Sequence, residues 1–224
     1  MKRTKLANRA LPRYTKGEEI MNMVTHITGG GFGVMILLIC CIQSIRLHSP
    51  AAIIGSIIYG ISMISVYCIS SIYHGLHTGT AKKVLQVIDH CMIYFLIAGT
   101  YTPILLVCFI PAVPLIGWGL LVAEWGLGIW AATLTAIDLK RYQVFSMICY
   151  ILMGWGIVLF LPIAITLLTP AGFYLLLAGG IVYTVGAITY GIGAKIPWMH
   201  SVFHIFVVLG SLLQFLSISL YVLT

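Results

Sequence analysis

Residues 52–73, AIIGSIIYGISMISVYCISSIY, contain neither a charged side chain nor a proline. As an α-helix this run spans about 33 Å, close to the hydrocarbon thickness of a bilayer. Six further apolar runs cover roughly 23–45, 85–109, 115–137, 142–163, 172–193 and 198–222. Little chain is left over for an extramembrane domain. The whole chain, 61% hydrophobic and 8% charged over 224 residues, is far from the roughly half-apolar, quarter-charged mix of a soluble domain. A β-barrel would need alternating segments of about ten residues, and the apolar runs are too continuous for that. Helices satisfy their own backbone in lipid. The expected fold is an all-α integral membrane protein of the cell membrane, with a basic tail (1–20) and a seven-helix transmembrane domain (21–224). The first apolar run follows basic residues, as a signal peptide would, but it is long and has no small-residue cleavage site after it, so it reads as a retained span.

Basic residues set the orientation. The tail carries Lys2, Arg3, Lys5, Arg9, Arg13 and Lys16, and alternate connections add Lys82, Lys83, Lys140, Arg141 and Lys195, so eleven of the twelve Lys and Arg residues share one side with the tail. Arg46 alone falls on the other. The positive-inside rule then places the N-terminus in the cytoplasm and Thr224 outside. This asymmetry accounts for the net charge of +7, with anionic lipid as a further partner, and no nucleic acid is required.

In that orientation His74 ends the second helix at the cytoplasmic face. Asp89 lies in the first turns of the third helix, and His200 and His204 in the first turns of the seventh. The two last histidines are spaced i, i+4 and project from one helical face. With His74 they make three imidazoles and an open fourth position, the pattern of a catalytic zinc site. Their alternative is a pair of histidines bonding to interfacial groups. An ionised carboxylate in a span is costly unless paired, hydrated or near a cation; Asp89 either caps its helix, ligates the metal, or holds a water beside it as general base. Ser70, one turn before His74, either donates into the site or bonds back to its own helix.

Other polar residues have plainer readings. His90 is about 100° around the helix from Asp89 and reads as interfacial; His26 reads as a neighbour of the site or part of a substrate path, and His48 and His77 as solvated. Glu124, near mid-span, is a candidate proton relay or structural pair. The six cysteines (Cys40, Cys41, Cys68, Cys91, Cys108, Cys149) all lie in apolar spans without CxxC spacing and read as packing groups. Cys91, two residues beyond Asp89, is the one cysteine with a metal as its alternative partner, against which stands that residues two apart on a helix face away from each other. Gly29 and Gly33 suggest close helix packing, and Pro103 and Pro162 suggest kinks.

Three segments carry a family resemblance: Ser70-Ser71-Ile72-Tyr73-His74; Asp89-His90 through Ile97-Ala98-Gly99-Thr100-Tyr101-Thr102-Pro103; and His200-Ser201-Val202-Phe203-His204. In this order they resemble the signature segments of the hemolysin III family, which belongs with the progestin and adipoQ receptors and more distantly with the alkaline ceramidases. Glu18-Glu19 through Asn22 to Thr25-His26 resembles the family's entry into its first helix. The resemblance implies seven helices and a zinc ion near the cytoplasmic leaflet. His74, His200 and His204 match the family's zinc ligands, Asp89 its water-holding aspartate, and Ser70 its serine before the first ligand.

Three functions follow as expectations. The first is a zinc-dependent hydrolase of an amide or ester bond in a membrane lipid, serving lipid homeostasis. The second is a non-enzymatic homeostasis or receptor-like protein whose zinc only staples helices. The third and weakest is the cytolysin of the family name, because the continuously apolar spans offer no amphipathic inserting segment.

Overall fold

The computed structural model describes residue 4, residues 6–193 and residues 196–224. Lys2, Arg3, Lys5 and Lys195, used above to orient the chain, lie outside the described residues. Among the described residues all regular structure is helical. The long helices are α1 (Lys16–Arg46), α2 (Pro50–Gly75), α3 (Thr80–Ile104), α4 (Pro114–Ile137), α5 (Gln143–Trp155), α6 (Leu161–Gly193) and α7 (Met199–Tyr221). A π-turn at Leu105–Phe109 extends α3 beyond Pro103, and a 3-10 segment at Gly156–Phe160 joins α5 to α6.

Six of the resulting helical stretches among the described residues are long and apolar enough to cross a membrane. The longest, Gln143–Gly193, has 51 residues and covers both the fifth and the sixth expected spans. It is not straight. Thr169 has φ 59° and ψ 160° inside it, and Pro170 follows, which disfavours helical backbone at the preceding residue. Trp155 Nε1 donates to Thr184 Oγ1 at 3.0 Å. In a straight helix these residues would stand about 43 Å apart, so the stretch folds back on itself.

Many large apolar side chains face outward, Leu115, Leu159 and Val144 among the most exposed. Such a surface would drive aggregation in water and is what lipid contact requires. The interior is correspondingly polar in places: Tyr67 and Tyr183 both hydrogen-bond Ser211 Oγ, at 2.6 and 2.7 Å, tying α2, α6 and α7 together. α7 returns to pack between α6 and α1. This is a multi-pass integral membrane protein.

Glycines set how close the helices come. A Cβ on Gly29 would lie 2.6 Å from the Tyr67 ring, and one on Gly33 3.2 Å from the Ile64 backbone nitrogen, which is the close α1–α2 packing their spacing suggested. On α6, Gly172, Gly179, Gly186 and Gly193 recur every seventh residue and face Tyr221, Gln214, Phe206 and His200 in turn. This glycine seam runs antiparallel along α7 and ends at the backbone of a site residue.

Candidate metal centre

The first turn of α1 organises the site. Thr15 and Glu18 form a reciprocal capping box, a pairing that satisfies otherwise orphaned amides at a helix start. The Glu18 carboxylate also accepts the amide of Trp198 at 2.7 Å. Trp198 sits at φ 67° just before α7, so Glu18 holds the residue that launches α7, and a negative charge there complements the helix dipole. His200 and His204 follow on the first two turns.

Glu19 does a different job. Its Oε2 lies 2.7 Å from His74 Nδ1 while Oε1 takes 2.7 Å from Lys82 Nζ. A carboxylate only accepts hydrogen bonds, so this contact places the imidazole proton on Nδ1 and leaves the Nε2 lone pair free. His74 Nε2 is buried and without a partner. Lys82, itself buried, also donates to the carbonyls of His74 and Leu76 at 3.4 and 2.9 Å, closing the end of α2. Asn22, fully buried on α1, receives Ser201 Oγ at 2.6 Å and lies 3.4 Å from His74 Nδ1. It ties α7 to α2.

The result is a trio of buried imidazoles. One ligating atom each from His74, His200 and His204 lie within 4.8 Å of one another, and the Nε2 atoms of His200 and His204 are 3.1 Å apart. This cluster could hold a metal ion. Asp89 does not join the set; it lines the cavity beside it together with Ser70. The hydroxyl spent on its own helix is the neighbouring one, Ser71, bonded to Tyr67 O at 2.7 Å.

The remaining singled-out residues separate cleanly. His26 is buried, stacks on His204 with ring centroids 3.8 Å apart and lines the cavity. His90 bonds Gln86 O at 2.8 Å and Tyr190 OH at 3.1 Å. His48 and His77 are exposed. Glu124 is buried beside Gly156, where the helix turns 3-10, one carboxylate oxygen lacking a partner, and is separate from the histidine trio.

The cavity occupies about 580 Å³. It runs from Asp89, Ser70 and His200 between apolar walls that include Ile97, Ile104 and Leu177, and reaches Gln214. The tail covers its mouth. Thr4 and residues 8–12 line the entrance, and the Tyr14 ring stacks on His200 at 4.9 Å and 18°. Burial pushes the Tyr14 phenol well above its usual range, so it remains a neutral hydroxyl. Asp138 accepts the amide of Thr4 at 2.7 Å, and this bond holds its carboxyl below the usual range.

Sequence reasoning did not assign site roles to Glu19, Asn22, Lys82 or Tyr14. The Thr15-x-x-Glu18 spacing, a capping-box signature, is the signal that places the start of α1, and with it Glu19 and Asn22, at the depth of the histidines.

A helical membrane protein that gathers three imidazoles at the end of an internal cavity is a recognisable class. The chain belongs to the family described as Haemolysin-III related, which it matches over residues 14–215. It is 39% identical over 206 residues to Hemolysin-3 of Bacillus cereus, covering 92% of each chain, and 36% identical over 208 residues to the Hemolysin-3 homolog of Bacillus subtilis, covering 93% of this chain and 96% of that one. A weaker similarity, 23% over 167 residues, links it to the human monocyte to macrophage differentiation factor, with 72% of this chain and 67% of that one covered. No solved structure matches it significantly.

Proposed function

We propose that the protein is a zinc-dependent hydrolase that cleaves an amide or ester bond of a membrane lipid and so contributes to membrane lipid homeostasis. One observation carries the reading: Asp89 stands outside the histidine trio yet lines the cavity that His200 of the trio also lines, as a general base needs to do and a fourth ligand would not. The donor set fits zinc. Ligand atoms around a tetrahedral ion with bonds of roughly 2.0–2.1 Å are about 3.4 Å apart, close to the 3.1 Å between His200 and His204 Nε2, and the orphaned His74 Nε2 lacks only such a partner.

Bound there, zinc supplies Lewis acidity toward a carbonyl and makes a neighbouring water easier to deprotonate. Asp89 takes the proton of that water. Ser70 donates its hydroxyl to the oxygen on which negative charge develops. Glu19 keeps His74 in the tautomer that ligates, and the apolar walls hold an acyl chain. Supporting a seven-crossing bundle, the Gln143–Gly193 stretch folds back at Thr169; the orientation we infer has the N-terminus cytoplasmic and Thr224 outside.

The competing reading, a zinc staple in a receptor-like protein, draws on the Tyr14 ring that covers His200. Zinc-loaded protein in bilayers, incubated with ceramides, acyl amides and phospholipids and followed for fatty-acid release by mass spectrometry, separates the two. Asp89→Asn should keep the metal and lower hydrolysis by about 10²- to 10⁴-fold, with His204→Ala as the metal-free control. Release that is absent, or equal in all three proteins, decides for the staple.

A further inference from the structure

The cavity mouth contains a charge that the fold leaves partly unused. Arg9 is only 8% exposed. Its Nη2 donates to the carbonyl of Ile137 at 3.2 Å, but Nε and Nη1 are buried and meet no acceptor. Asp138 is near enough for its charge to feel Arg9, yet it accepts the amides of Thr4 and Arg141, at 2.7 and 3.2 Å, and leaves Arg9 Nε and Nη1 without a bond. A buried guanidinium with unspent donors is costly, and an anionic acceptor would meet both the donors and the charge.

The surroundings specify the anion. Thr4, Asn8, Lys140 and Gln143 line the same cavity as Arg9, adding hydroxyl, amide and ammonium donors, while Asp89 is the acidic residue of the lining. Arginine's planar, delocalised cation suits phosphate. Behind this rim the cavity turns apolar, so a phosphate held here leaves attached acyl chains facing a lipid-like interior. We propose that Arg9 and the donors around it form a phosphate site at the cavity mouth. Its ligand is the headgroup phosphate of a phospholipid or free phosphate. The inference does not depend on hydrolysis, since a protein whose zinc only staples helices would keep the same rim.

The test titrates the detergent-purified full-length protein with phosphatidylglycerol, diacylglycerol or inorganic phosphate and measures binding by native mass spectrometry. Wild type should bind one phosphatidylglycerol per chain in preference to diacylglycerol, which lacks the phosphate. Arg9→Gln should weaken that binding about tenfold or more, the loss expected for a charge-assisted hydrogen bond. Arg13→Gln removes the same charge from an exposed position on the same tail and should change binding less than twofold. If inorganic phosphate binds with the same dependence on Arg9 and phosphatidylglycerol does not, the site stands and its source is the free ion. Should Arg9→Gln lose its zinc and helicity, Arg9→Lys takes its place with the same ordering against Arg13→Gln. Equal weakening by the Arg9 and Arg13 changes, no weakening by either, or equal binding of diacylglycerol overturns the proposal.

Discussion

Glu18 and Glu19 are neighbours with separate duties: one fixes the start of α7 through Trp198, the other fixes the tautomer of His74. A carboxylate behind a ligating histidine typically contributes 10- to 100-fold in metal affinity. Glu19→Gln, which keeps the shape but can present its amide N–H₂ to His74 Nδ1, should lower zinc affinity by about that factor. Competition against a chromogenic chelator measures it, and unchanged affinity would remove Glu19 from the site. The grouping of His74 with His200 and His204 was legible because each lies at a helix end and one topology brings those ends to one face. Lys82 was not, because a lysine beside a span reads as a topology marker, and nothing local shows that it turns inward to a carboxylate 63 residues away. Glu19 and Asn22 were hidden for the same reason: their partners come from α2 and α7.

Among the helices, the glycine seam of α6 has the clearest energetic consequence. Without a hydrophobic drive between helices in lipid, association depends on close packing of small residues. A Cβ on Gly172 would meet Tyr221 Cβ at 2.7 Å, whereas one on Gly180 meets nothing within 4 Å. Gly→Ala within a helix ordinarily stabilises by roughly 0.5–1 kcal/mol, while forcing a methyl into a filled contact costs about 1–3 kcal/mol. Gly180→Ala should therefore be neutral or mildly stabilising and Gly172→Ala clearly destabilising, as read from thermal unfolding in detergent. Equal effects would mean that α6 and α7 are not held at this distance. Apolar run lengths made these helices readable in the sequence. The seam's partner was not, because a seven-residue glycine spacing names a face without saying which helix covers it.

At the scale of the whole molecule, the number of crossings decides where the termini lie. If the chain reverses at Thr169 at a face of the membrane, seven crossings leave the ends on opposite sides. A fluorescent reporter active only in the cytoplasm should light at the N-terminus, and a phosphatase active only outside should work after Thr224. Signals from one side only would leave an even number of crossings and return the Gln143–Gly193 stretch to a single passage. The fold-back itself rests on two residues, Thr169 with its left-handed φ and Trp155 reaching Thr184; the sequence marked it only as a gap between two apolar runs. The tail that lies over the cavity, with Tyr14 against His200 and Thr4 against Asp138, bears on how the protein should be handled. A purification handle at the front of the chain would crowd a segment that lines the cavity, so handles belong behind Thr224.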